Sequence, residues 1–221
     1  MLESGQTTLL TATDQPWRWP RALQTDGQGP VVDSAPATLL DVSRFITALL
    51  RLTDRTIGER AERVTALVKI TIKQLDLERP WEFEVAARLS QIGYLALPLG
   101  LVEADARGEK LSDEDLRAVA SHPLIARDLL GEVGRLDGVA EMVARQREPV
   151  NGPDDGAEPL SSHDRFEVGG QLLRVCGELD RLVWRGVPVK DALATLQAHP
   201  REFHPEIVAA LATVLTRTAV S

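Results

Sequence analysis

Residues 55–98 read RTIGERAERVTALVKITIKQLDLERPWEFEVAARLSQIGYLALP, and this stretch decides the fold class. Val64, Leu67, Val68 and Ile72 recur at helical spacing, while Arg60, Arg63, Lys69 and Lys73 are spaced around the opposite face. That pattern predicts an amphipathic helix over 57–75. Pro80 then sits where a first helical turn tolerates a missing N–H, and a second helix is predicted over 81–92.

Working outward, the same period continues in both directions. Upstream, Leu39, Leu40, Val42, Ile46, Leu49 and Leu50 predict a helix ending near Leu52. Downstream, Ser112 followed by Asp115 forms a capping arrangement for a fourth helix. Pro123 at a first turn starts a fifth through Leu130, and residues 138–147 make a sixth. The polar run EPVNGPDDGAEPLSSH is a loop. Asp164 with Glu167 caps a long helix reaching Trp184, and shorter helices over 189–198 and 205–217 follow. No run alternates with period two, so no sheet is expected. The prediction is an all-α chain: one compact multi-helix bundle over 37–221, preceded by an irregular arm over 1–36.

That arm holds four prolines, three glycines and no sustained period. It also holds Trp17 and Trp19, two of the four tryptophans, in PWRWP. Docking of these rings on the domain's own surface is the simpler reading. A partner-binding peptide is the sharper one, since proline-flanked tryptophans are stiff and have much area to bury.

The chain has 221 residues and a formal charge of −8, which excludes nucleic acid and anionic membranes as principal partners. A single cysteine, Cys176, excludes a disulfide framework and a Cys-rich zinc site. The longest uncharged apolar stretch, residues 89–102, contains Gly93, Pro98 and Gly100 and is shorter than the roughly 20 residues a membrane span needs. MLESGQTTLL carries an acid in place of a basic leader, and a cytoplasmic protein is expected. Four histidines limit metal chemistry: His122, His163, His199 and His204. His199 and His204 flank Pro200 and read as a turn and a cap; His122 reads as capping or packing, and Cys176 as core.

Seven short segments occur in an order that resembles the HD-GYP branch of the HD phosphohydrolase superfamily: DRTIGERAERV, ARLSQIGYLALP, SHPLIARDLL, RQREPVNG, LLRVCGELDRLV, KDALATL and EFHPEIVAAL, together covering roughly residues 40–215. The resemblance implies an HD-domain-like bundle. It also implies a bacterial signalling role linked to cyclic di-guanylate, whose phosphodiester active members hydrolyse with two or three metal ions, usually iron or manganese.

The departures from that pattern matter most. The family's upstream histidine falls on Arg60, its His-Asp pair on Ser90 and Gln91, and the lysine after it on Tyr94. The His-Pro histidine is kept as His122. Two adjacent histidines fall on Gln146 and Arg147, with Glu148 kept. The ligand aspartate of the long helix falls on Gly177, and the later aspartate is kept as Asp180. The Gly-Tyr-Pro signature is absent. A two-metal hydrolytic centre needs imidazoles and carboxylates converging on its ions, and hydroxyl, amide and glycine do not replace them. Arg60 and Arg147 add positive charge where cations would sit.

The expectation is therefore a pseudoenzyme with no catalytic residues, no metal and no cofactor, acting through protein contacts. By resemblance the partners are receiver or diguanylate-cyclase domains, with homodimerisation a further option. The loop over 148–164 and the Trp17–Trp19 arm are candidate contact surfaces. The alternative is a nucleotide sensor using Arg60, Arg88 and Arg147 in the former metal cavity. Internal salt bridges from these arginines to Glu148, Asp180 or Glu84 are the simpler role. Residual phosphodiesterase activity ranks last.

Overall fold

The computed structural model describes residues 37–150 and 157–218. Among these residues there are nine α-helices and no strand. Helix α1 (Ala37–Thr53) leads into α2 (Arg55–Gln74), with Asp54 accepting a hydrogen bond from the Ile57 N–H at 3.0 Å. Helix α3 (Pro80–Leu89) opens on its proline and runs into a 3₁₀ turn (Ile92–Ala96) and α4 (Leu99–Arg107). Ser112 caps α5 (Asp113–Gly131) by accepting from the Asp115 N–H. Helix α6 (Asp137–Ala144) tightens into a 3₁₀ turn (Arg145–Arg147). A full capping box, Asp164 with Glu167, starts α7 (Arg165–Trp184). Helices α8 (Val189–Gln197) and α9 (Pro205–Thr218) complete the fold.

Helix α2 is the axis of the molecule. Its Val64, Leu67 and Val68 lie in one apolar cluster with Phe83, Val85 and Leu89 of α3, Leu172, Val175 and Leu179 of α7, and Ile207 and Leu211 of α9. Cys176 is fully buried here, and desolvation pushes its thiol up to about 12. A smaller cluster of Leu50, Ile57, Tyr94, Val102 and Val119 sits where α1, α2, α4, α5 and the first 3₁₀ turn meet.

Three expectations need correction. The predicted fourth and fifth helices are one, because α5 runs through Pro123 without a break. Residues 92–107, given no separate helix by their spacing, form the 3₁₀ turn and α4. In α1, Val42 and Leu49 do not face the core; Ser43, Thr47 and Leu50 do. Short hydroxyl side chains fit this contact because each returns its hydrogen bond to its own helix, Ser43 to the Leu40 carbonyl and Thr47 to that of Ser43. His204 is also more than a cap. Its carbonyl accepts from the Val208 N–H at the start of α9, but its ring is buried, with Nε2 donating to the Glu158 carbonyl at 3.1 Å.

No helix among the described residues is long and apolar enough to cross a membrane.

Candidate functional site

The site grows from a proline inside a helix. Pro123 has no N–H, so the carbonyl four residues back, on Val119, loses its usual helical donor. The His122 ring takes that place, with Nδ1 2.8 Å from the Val119 oxygen. A carbonyl only accepts, so Nδ1 carries the proton and the ring is fixed in one tautomer. The imidazole is 4% exposed and stacks on Tyr94 at 4.0 Å between centroids.

Gly93 permits this stack. A Cβ there would lie 1.9 Å from the His122 carbonyl oxygen, so only glycine lets the 3₁₀ turn approach α5 closely enough. Burial lowers the His122 pKa to about 3, and the positive charges of Arg60 and Arg147 push the same way. Hydrogen bonds with Val119 and Gln146 oppose this only in part. The ring is neutral at any physiological pH.

Around His122, polar side chains close on one another. Ser90, at the end of α3, is fully buried and donates to the Ala87 carbonyl, while Gln91 Nε2 donates to the Ser90 hydroxyl, both at 2.9 Å. Gln146 Nε2 donates to the Val143 carbonyl at 3.0 Å and reaches the Ser90 carbonyl at 3.4 Å. Arg60 projects from α2 toward the Tyr94 hydroxyl at 3.4 Å and pairs with Asp105 of α4 at 4.0 Å. Burial works against its charge, but Tyr94, Asp180 and Asp105 outweigh that penalty and hold its pKa above the ordinary value. Arg60, Gln91 and Tyr94 line a small cleft with Thr56, Val102 and Ala106. On that cleft Arg60 Nε and Gln91 Oε1 are buried without a protein partner.

Asp180 is occupied elsewhere. It is 2% exposed and receives two hydrogen bonds from Arg63, at 2.6 and 3.1 Å, which tie α2 to α7. The Arg63 guanidinium carbon lies over Trp184, 4.2 Å from the ring centroid. At Gly177, in the middle of α7, a Cβ would meet nothing within 4 Å. Arg147 and Glu148 are exposed; the Arg147 carbonyl accepts from Arg174 at 2.7 Å. Glu148 borders a second small cavity with Arg145, Pro149, His163, Glu167 and Gln171.

The structure thus brings Arg60, Ser90, Gln91, His122 and Gln146 together, with Arg147 close enough to act on His122 by charge. Arg88 stands apart, hydrogen-bonded to Glu84 on its own helix at 2.9 Å. Of the internal salt bridges expected from these arginines to Glu148, Asp180 or Glu84, Arg88–Glu84 forms; Asp180 takes Arg63, and Arg60 pairs with Asp105. Trp17 and Trp19 lie outside the described residues, as does part of the loop over 148–164.

Arg63 and Asp105 emerge as structural members of the site that the sequence did not single out, while Tyr94, marked there as the position of the family's lysine, stacks on His122. Arg63 was legible in principle, three residues after Arg60 and on the same helical face. Asp105 was not, because nothing in its segment announced α4.

Chemically, this is a poor site for a metal ion. One neutral imidazole with its Nδ1 committed, two amides, a hydroxyl and a guanidinium do not make a hard-cation or iron site. Among the described residues no three His, Cys, Asp or Glu side chains are grouped so as to hold a metal. Nor is His122 a useful base, since general-base catalysis works best near the operating pH and this ring titrates at about 3.

Comparison with known proteins bears on the whole bundle. The family model described as "HD domain" matches residues 44–207. Among solved structures, Bd1817, an HDG"Y"P protein from Bdellovibrio bacteriovorus, superposes with a TM-score of 0.59 at 20% sequence identity. The match covers 81% of this chain and 62% of that one, so the chain spans less than two thirds of that protein's length. No curated protein matches the chain.

Proposed function

The chain belongs to the HD domain family, and we propose that it is a non-catalytic, HD-GYP-type signalling domain that works through protein contacts. The observation that carries this reading is the state of two of the three groups kept from the family pattern, His122 and Asp180. His122 is held between Tyr94 and the Val119 carbonyl, and Asp180 takes a hydrogen bond from Arg63 on each of its oxygens. Around them stand Arg60, Ser90, Gln91, Gln146 and Arg147 where the family places metal-binding side chains. The residues present do not fit its metal centre.

Receiver domains and diguanylate-cyclase domains are the partner classes, taken from family resemblance. The test joins a metal analysis to a turnover assay and a binding assay on the purified chain. With iron or manganese added, cyclic di-guanylate is expected to stay intact, while a receiver or diguanylate-cyclase domain is retained on the immobilised protein. Stoichiometric metal together with hydrolysis abolished by His122→Ala would sink the reading.

One observation favours a second reading, a nucleotide sensor. Arg60 Nε and Gln91 Oε1 offer an unused donor and acceptor on one cleft. Titration calorimetry with cyclic and linear guanine nucleotides decides it: saturable micromolar binding, lost in Arg60→Ala, would promote the sensor over the contact domain.

A further inference from the structure

Helix α1 carries an apolar stripe on its outer face. Val42, Phe45, Leu49 and Leu52 follow a 3-4-3 spacing and are 45, 63, 44 and 84% exposed. The opposite face already holds the helix in place through Ser43, Thr47 and Leu50, with Gly58 of α2 so close to Arg51 that a Cβ would sit 2.4 Å from its Cα. The stripe is therefore surplus to the packing of α1. Four large apolar side chains aligned on one helix face make a seam that wants a partner.

The size of the seam narrows the choice of partner. At roughly 150–200 Å² for a fully exposed large side chain, these exposures amount to on the order of 400 Å². A standard complex buries about 800 Å² on each partner, so the stripe alone is too small to hold a second copy. It matches two tryptophans, which remove about 150–250 Å² each from water.

Such a pair exists on the same chain. Trp19 lies 18 residues, and Trp17 20 residues, before Ala37, where α1 begins. Eighteen residues reach up to about 60 Å, and the far end of the stripe is only about 22 Å along the helix from Ala37. A tether of this length confers an effective concentration of about a millimolar, enough for a contact too small to hold separate molecules. Pro16 and Pro20 fix φ on both sides of the pair, so less backbone freedom is lost on docking.

We propose that the PWRWP segment, residues 16–20, docks along Val42, Phe45, Leu49 and Leu52 of α1, making the amino-terminal arm an intramolecular cover for this stripe. A protein that binds the stripe must then displace the arm. The docking is independent of whether the cleft beside Arg60 binds anything.

Fluorine NMR of the full chain labelled with 5-fluorotryptophan tests this. It gives one resonance for each of the four tryptophans, assigned by single Trp→Phe changes. Trp17 and Trp19 should be shielded from solvent in the native chain. Phe45→Asp with Leu52→Asp should move both to the shift they show in urea, while Trp81 and Trp184 stay in place and so report an intact core. Native Trp17 and Trp19 resonances already at the exposed position would overturn the proposal, as would resonances indifferent to the α1 changes. A dimer by light scattering that Phe45→Asp converts to monomer, with both tryptophans exposed throughout, would overturn it in favour of a second copy.

Discussion

At the scale of the residue, His122 shows how burial and neighbouring charge set the state of a side chain. Free imidazole titrates near 6.5; here burial first, and then Arg60 and Arg147, bring it to about 3. The unfolded chain therefore binds a proton at this position below about pH 6.5 that the folded chain refuses. The stability lent by the neutral ring is fully present above pH 6.5 and is lost progressively as the pH falls toward 3. A shift of this size corresponds to at most about 5 kcal/mol. Replacing the ring with the uncharged Phe in His122→Phe keeps the stack on Tyr94 and leaves the Val119 carbonyl unpaired. That variant should be less stable than the parent at pH 7.5, by about 1–3 kcal/mol for the lost hydrogen bond. The gap should narrow or reverse by pH 4. Urea midpoints measured across this range check it; a gap constant with pH would mean that His122 titrates normally.

At the scale of the element, two glycines make opposite predictions from the same substitution. Gly93→Ala puts a Cβ into the His122 carbonyl, and that atom is backbone, unable to rotate away. The 3₁₀ turn must lift off α5, at a cost of about 3 kcal/mol, or roughly 6–12 °C in Tm for a domain of this size. Gly177→Ala finds open space in mid-helix and should stabilise by about 0.5–1 kcal/mol. Thermal melts of the two variants should move in opposite directions; a loss at Gly177 would mean that its surroundings are tighter than the structure shows. The elements also mark where sequence was readable. The caps at Ser112 and Asp164 and the proline at Pro80 announced α5, α7 and α3, because a cap is a local device written in adjacent residues. Pro123 misled for the same reason: read locally it starts a helix, but the side chain of His122 repairs the gap it leaves. Residues 92–107 were illegible because glycine and proline at 93, 98 and 100 mask the period of α4. In the site, Arg60, Ser90, Gln91, His122 and Gln146 were marked as one group by the family resemblance, and the structure does bring them together. The Arg63–Asp180 pair, 117 residues apart in the chain, was not marked by it.

At the scale of the whole molecule, the issue is what ties the helices around the site. Arginine or lysine paired with carboxylate supplies such ties. Arg63–Asp180 joins α2 to α7, Arg60–Asp105 joins α2 to α4, Arg185–Asp105 joins the residue just after α7 to α4, and Lys69–Glu84 joins α2 to α3. Only the first is both bidentate and nearly excluded from water, so it should dominate. Asp180→Asn leaves the Arg63 charge buried against a neutral amide, which costs about 3–5 kcal/mol, or on the order of 10 °C in Tm. A double change to apolar residues, Arg63→Met with Asp180→Leu, removes both charges and should recover most of that loss, since a well-packed apolar pair often matches a buried ion pair. The two melts separate a structural tie from a charge that is merely tolerated. Across the set, EDTA should leave the parent Tm unchanged and added manganese should not raise it. A Tm that falls by several degrees in EDTA and returns with manganese would place a metal among these helices, and the arginine ties would then be secondary to it.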